Sequence, residues 1–264
     1  TTDVLKTVTL VGATGATTLA SDALTTLNIT ALDGLVTNTD GYANAADARA
    51  LTINVGKGTV TGVTDAGATG LTINTTGAVT ALGTVTTALA TDVTINANDD
   101  YDGDNNGETI ATETITLGAV GSGDEIGKLT LDAADGITLT GNITLANAAL
   151  ADLDINSKVF ISGDVTIDTD NATHDGLVDF ASTIDGVNGG ADDDLVILAG
   201  DTAQGGILTL GGAIGSTQAL TTLNINSTDG DISFTVPQVG NGSGTEGVTG
   251  ATALGFSGSG DIIF

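Results

Sequence analysis

The chain has 264 residues and a mass of 25.7 kDa, with 39 glycines, no Cys, Met or Trp, and 33 acidic residues against five basic ones, for a formal net charge of −28. That charge repels nucleic acid and anionic lipid, and the lack of cysteine removes disulfides, thiolate metal sites and cysteine nucleophiles. No apolar run approaches the roughly 20 residues that a membrane-spanning helix needs, so neither a nucleic-acid partner nor membrane insertion is expected.

High charge with few aromatics is normally a mark of disorder. Here 40% of residues are hydrophobic and the mean hydropathy is +0.28, which argues for a folded core. The apolar residues are mostly small or branched aliphatics, suited to a narrow interior. From the N-terminus they fall into short apolar–polar–apolar segments: Leu27-Asn-Ile29, Leu51-Thr-Ile53, Leu71-Thr-Ile73, Val93-Thr-Ile95, Ile115-Thr-Leu117 and Leu129-Thr-Leu131. The series continues as Ile137-Thr-Leu139, Ile143-Thr-Leu145, Leu153-Asp-Ile155, Val165-Thr-Ile167, Leu208-Thr-Leu210, Leu223-Asn-Ile225 and Ile232-Ser-Phe234. Each has the period-2 pattern of a strand with one buried face. Gly, Asn and Asp interrupt them and supply turns. Helix-forming composition is nearly absent, and only the Ala-rich Tyr42 to Ala50 reads as a short helix.

Longer units repeat as well. Val8-Thr-Leu-Val-Gly-Ala-Thr-Gly15 leads into Ala23-Leu-Thr-Thr-Leu-Asn-Ile-Thr30, and Leu208-Thr-Leu-Gly-Gly-Ala-Ile-Gly215 leads into Ala219-Leu-Thr-Thr-Leu-Asn-Ile-Asn226. Ile115 to Gly121 followed by Lys128 to Leu131, and Ala149 to Asn156, are further copies. The strand centres Ile29, Ile53, Ile73 and Ile95 lie about 20–24 residues apart, a period at which one supersecondary unit stacks on the next. A leucine-rich repeat matches Leu24-x-x-Leu27-x-Ile29 and Leu220-x-x-Leu223-x-Ile225, but Leu32 and Thr228 stand where its fixed Asn belongs, and no helical half-repeat follows. The expected fold is therefore all-β, a parallel β-helix or β-solenoid of short strands with Gly/Asn/Asp corners. At about 22 residues per coil and ~4.8 Å per strand it has about twelve coils and a length of roughly 55–60 Å. No linker divides it, so residues 1–264 are expected to form one domain. The missing initiator Met and the strand-like Gly258-Ser-Gly-Asp-Ile-Ile-Phe264 suit a segment of a longer repetitive chain.

These repeats, with the strand openers Gly163-Asp-Val-Thr-Ile167, Gly230-Asp-Ile-Ser-Phe234 and Gly260-Asp-Ile-Ile-Phe264, resemble the repetitive β-solenoid regions of large bacterial surface proteins of the filamentous-haemagglutinin type. The Thr/Ala/Gly/Asp bias is also similar to calcium-dependent bacterial surface-layer proteins. The resemblance implies secretion, an extracellular or cell-surface location, and structural or adhesive work.

Calcium takes six to eight oxygen ligands, and a Gly-containing acidic loop lets alternate side chains converge on it. Asn98-Asp-Asp-Tyr-Asp-Gly-Asp-Asn-Asn-Gly-Glu108 offers Asp99, Asp100, Asp102, Asp104, Asn106 and Glu108. The plainer reading of this segment is a solvated corner loop. Gly189-Gly-Ala-Asp-Asp-Asp-Leu-Val-Ile197 resembles a nonapeptide β-roll repeat, with Asp192 in place of the third Gly and Asp194 as the matching ligand. Its plainer reading is an acidic turn before a buried strand. Asp168, Asp170 and Asp175 form a weaker third cluster, and His174, the single histidine, reads as an exposed loop residue.

No enzymatic activity is expected. A polysaccharide lyase needs a base beside its calcium, and the only arginine is Arg49; a sugar platform needs aromatics that are missing here. The sequons at Asn28, Asn74, Asn142, Asn171, Asn226 and Asn241 follow from the abundance of Thr. Threonine ladders would also suit ice binding, but Thr84-Val-Thr86 and similar triplets are not expected to recur in register. The composite expectation is a calcium-associated structural element of a surface fibre, adhesin stalk or surface layer, self-associating with identical or neighbouring solenoid chains. The alternatives are a module that binds a glycan or host receptor, for which Tyr42–Arg49 or Asp99–Glu108 are the places to look, and a carbohydrate-active enzyme.

Overall fold

The computed structural model describes residues 4–30, 32–38, 49–56, 58–65, 67–75, 79–87, 92–97, 114–121, 126–145, 151–170, 176–187, 192–199, 207–226, 232–234, 253–257 and 262–263. Among them every regular element is a β-strand, and every strand pairing is parallel. Each apolar–polar–apolar segment read from the sequence lies on a strand, apart from Leu145, which follows the strand Ile143–Thr144. Most of the expected helix over Tyr42 to Ala50 lies outside the described residues, and its last two residues, Arg49 and Ala50, open a strand instead.

The strands form three sheets. The first has 11 strands: Thr7–Leu10, Thr26–Ile29, Arg49–Val55, Ala68–Thr75, Asp92–Ala97, Lys128–Ala133, Asp152–Ile155, Val178–Phe180, Leu208–Leu210, Ile232–Phe234 and Ile262–Ile263, in chain order from edge to edge. A second, nine-stranded sheet begins with Ala13–Thr14 and Thr17–Leu19, both on Leu32–Asn38. It runs on through Gly58–Asp65, Val79–Thr87, Thr114–Leu117, Gly136–Leu139 and Val159–Ile161 to Ile184–Gly186. The third has five strands, from Ile143–Thr144 through Asp164–Asp168, Asp194–Leu198 and Thr222–Asn226 to Ala253–Ser257. Between successive strands of the first sheet the chain passes through the others, and it returns one position further along.

Alternation decides which side of each strand is buried. Arg49–Val55 buries Leu51, Ile53 and Val55 and turns Thr52 and Asn54 outward, and Lys128–Ala133 does the same with Leu129, Leu131 and Ala133. The inward residues form one aliphatic cluster from Leu24 to Ile225, with Phe180 as its aromatic member. Fully burying one Leu or Ile stabilises by roughly 1.5–3 kcal/mol, so each added strand contributes several kcal/mol against its ordering cost. Along the edge strand Thr7–Leu10 burial is less complete among the described residues. Val8 and Leu10 are half-buried, and Val4 and Val11 are 81% and 77% exposed.

The register departs from a simple alignment of the apolar segments at Ile143, which stands opposite Ile167 rather than Val165, and at Thr26–Ile29. The spacing aligns Ile29 with Ile53, whereas the structure pairs Leu27 with Ile53, Asn28 with Asn54, and Ile29 with Val55. A two-residue slip leaves every side chain on its original face, so hydrophobicity cannot select between the two registers. Asparagine can. Asn54 Nδ2 donates to Asn28 Oδ1 at 2.8 Å, Asn74 to Asn54 at 3.0 Å, and Asn96 to Asn74 at 3.1 Å. Such amide ladders form only between identical positions of stacked parallel strands.

The third sheet arises by division of the second. In the long strand Val79–Thr87, Leu82 pairs with Leu117 of the second sheet, while Val85 bridges to Val120 and Val120 to Ile143, where the third sheet starts. The division follows a column of glycines. A β-carbon on Gly118 would lie 2.8 Å from the Gly83 carbonyl carbon, and one on Gly141 would lie 2.9 Å from that of Gly118. Gly70 has no atom within 4 Å of such a carbon. In urea titrations Gly118→Val should lose about 1–3 kcal/mol by overpacking, while Gly70→Val stays within about 0.5 kcal/mol of the parent. Equal losses at the two sites would refute the close stacking.

Candidate metal centre

The segment carrying Asp99, Asp100, Asp102, Asp104, Asn106 and Glu108 lies outside the described residues, as do His174 and Asp175. The second candidate is described from Asp192 onward, and its three aspartates separate. Asp192 is exposed with φ 65, a left-handed backbone that a non-Gly residue seldom adopts and that the β-roll pattern fills with Gly. Asp193 points inward and is fully buried. Its Oδ1 accepts the Gly163 N–H at 3.2 Å, its N–H donates to Thr221 Oγ1 at 3.3 Å, and its carbonyl accepts the Thr221 N–H at 2.9 Å. A side chain on Gly186 would meet Asp193 Oδ2 at 2.8 Å, so the glycine makes room for the carboxylate. Asp193 thereby fastens three successive turns of the chain together, a role that three consecutive aspartates gave no means of assigning.

Asp194 is half-buried and stands in register between Asp164 and Thr222. Its Oδ1 is a buried oxygen with no hydrogen-bond partner among the described residues. Asp192 and Asp194 thus share the outward side, with Asp164 one strand away. Among the described residues no group of three or more His, Cys, Asp or Glu side chains is gathered to hold a metal ion.

Stacked carboxylates recur in the first sheet, where Asp154 stands opposite Asp179. Burial first, and then the Asp154 charge, push the Asp179 carboxyl above the ordinary aspartate range. Burial also raises Asp168, against the opposing effect of the Asp170 N–H, which donates to Asp168 Oδ1 at 3.1 Å. A carboxyl whose folded pKa exceeds its unfolded value binds its proton more tightly in the native state, so it costs stability above the folded pKa and that cost is relieved on acidification toward the unfolded value. The melting temperature should therefore rise as the pH falls from neutral toward the ordinary aspartate range. Asp179→Asn should raise stability at pH 7 and flatten that rise. A variant melting identically to the parent at pH 7 would refute the assignment.

A buried ion pair that the sequence did not single out joins Arg49 and Asp65. Asn38 and Asp65 end successive strands of the second sheet in register, and both are buried. Arg49 opens a first-sheet strand, and its side chain is 6% exposed against 1% for Asp65. Arg49 Nη2 donates to Asp65 Oδ1 and Oδ2 at 3.0 and 2.8 Å, and Nη1 to the Leu24 carbonyl at 2.9 Å. Asp65 Oδ1 also accepts the Gly67 and Ala68 N–H groups at 3.0 and 2.6 Å, and Oδ2 accepts Asn38 Nδ2 at 2.8 Å. Asn38 exchanges bonds with the Ser21 backbone in turn. The sequence signal was the recurring strand end Val36-Thr-Asn38, Val63-Thr-Asp65, Val85-Thr-Thr87, whose last column faces the interior. With every oxygen of Asp65 occupied by protein donors, this centre is a clasp between sheets, and it offers no open coordination to a ligand. Removing either partner leaves a charge buried alone, so Arg49→Ala and Asp65→Ala should each cost about 3–5 kcal/mol. The double variant should cost less than the sum of the two. Strict additivity in denaturant melts would refute the coupling.

Comparison with protein-family models, with curated proteins and with solved structures finds no match.

Proposed function

We propose that the chain is a parallel β-solenoid serving as a structural element of an extracellular bacterial surface assembly, whether fibre, adhesin stalk or surface layer. The observation that carries this reading is the sheet order: three parallel sheets advance together, and the first ends on the edge strand Thr7–Leu10 with Val4, Leu5 and Val11 exposed beside it. An unpaired parallel edge with uncovered apolar side chains is a template for a further strand. Because all pairing is parallel, the next copy or coil continues the stack head to tail, and a heterologous contact of this kind propagates into a filament. The net charge of −28 opposes side-by-side contact. Calcium at the Asp-rich corners, Asp99–Glu108 foremost, would neutralise part of it. The surface location and the calcium rest on the resemblance and the composition.

Sedimentation and electron microscopy with and without calcium test the proposal. Assemblies should form with calcium, dissolve or melt at lower temperature on chelation, and shrink in the Val4→Lys, Val11→Lys double variant. An unchanged melt and assembly with chelator would defeat the calcium part. A protein that stays monomeric at every concentration, in calcium and in high salt, would defeat the assembly itself.

A further inference from the structure

Contrary to the expectation drawn from Thr84-Val-Thr86, outward triplets do recur in register, and they do so in the first sheet. Thr84-Val-Thr86 itself faces Gly62-Val-Thr64, so that triplet is not repeated. In the first sheet, however, Thr7, Thr26, Thr52, Thr72, Thr94 and Thr130 occupy one column across six consecutive strands. Two residues further along each strand, Asn28, Asn54, Asn74 and Asn96 occupy a second column. The outcome is a Thr-x-Asn array repeated over four strands, without a register shift between its members.

We propose that this face binds crystalline water. Its two repeats are ~4.8 Å between strands and ~6.7 Å from Thr to Asn along each strand. Both are close to oxygen repeats on the surface planes of hexagonal ice. Regularity here has a cause: the amide ladder of Asn28, Asn54, Asn74 and Asn96 ties each strand to the next, and ladders of this kind hold a many-stranded sheet from twisting. The ladder uses one N–H of each donating amide and one lone pair of each accepting oxygen, leaving the second of each to fix a water. Each β-branched threonine is stiff about χ1 and presents a hydroxyl and a methyl at a set spacing, so little side-chain freedom is lost on binding a lattice.

The charge distribution selects the same patch. In a chain with 33 acidic residues, the Thr and Asn columns carry none from Thr26 to Asn96. Charge begins at the boundary of the array. Asp132 follows Asn96, Asp154 and Asp179 follow Thr130, and Asp92, Lys128 and Asp152 form the flanking column. Charged groups hold their own hydration shells and disrupt an ice-like layer, whereas hydroxyl, methyl and amide groups can be built into one. The inference does not depend on the surface-assembly reading, since the face lies along the stack and away from its ends.

The test is ice affinity of the intact chain. A fluorescently labelled sample is grown slowly into an ice hemisphere, and the protein in the ice fraction is compared with a non-binding control. The parent should be incorporated and should inhibit ice recrystallisation. Thr72→Tyr, in the middle of the array, should fall to the control level, as should Thr94→Lys. Thr138→Tyr, outward on the second sheet beside Thr116 and Phe160, should behave as the parent. Circular dichroism melts show that each variant scored is folded. Exclusion of the parent from ice overturns the proposal, as does binding to crystalline chitin or cellulose with no affinity for ice. Retention of ice affinity by both array variants, or its loss in Thr138→Tyr as well, overturns the assignment to this face.

Discussion

Parallel pairing is the constraint from which the rest of the structure follows. Two parallel strands cannot be joined by a tight turn, and the connection between them must travel a dozen residues or more. In the first sheet that connection is made of other strands, which themselves stack on their predecessors one turn earlier. Every segment is therefore both a strand in one sheet and the crossover for another. Backbone hydrogen bonds are satisfied between turns, and alternate side chains of each turn cover those of the one before, from Leu24 to Ile225.

The first sheet was legible because its strands repeat a strict alternation with large aliphatics, as in Leu51-Thr-Ile53 and Leu71-Thr-Ile73. Much of the second was not. Leu32–Asn38, Gly58–Asp65 and Val79–Thr87 carry glycines within them, and the pairings among them shift register between Gly34 and Leu35 and between Gly58 and Thr59, which breaks the period-2 signal. The register of Thr26–Ile29 is not fixed by its apolar residues, whose pattern is blind to a two-residue slip. Asn28 held the missing information. Among candidate sites, acidity in the sequence located Asp192 and Asp194, yet it could not say that Asp193 turns inward, since adjacent positions of a strand differ only by side. Nor could it find the Arg49–Asp65 clasp, whose partners come from different sheets and meet only once the stacking is known.

Polar groups divide by position in a manner that composition conceals. Inward-facing ones are few and matched to protein donors, as at Asp65 and Asp193. Outward ones are sorted along the stack, with threonine and asparagine over the early strands of the first sheet and the stacked pair Asp154 and Asp179 further on. Two stretches of one sheet thus present water with different chemistry: one neutral and regular, the other charged and eased by protons or cations.

The division of the second sheet at the glycine column alters the stack as a beam. Two sheets run side by side up to Val120, a third joins at Ile143, and the nine-stranded one ends at Ile184–Gly186. Three sheets therefore overlap only over the strands from Ile143 to Gly186. On that stretch each turn is tied to the next by backbone ladders in three sheets rather than two, so under load its turns should be the last to separate.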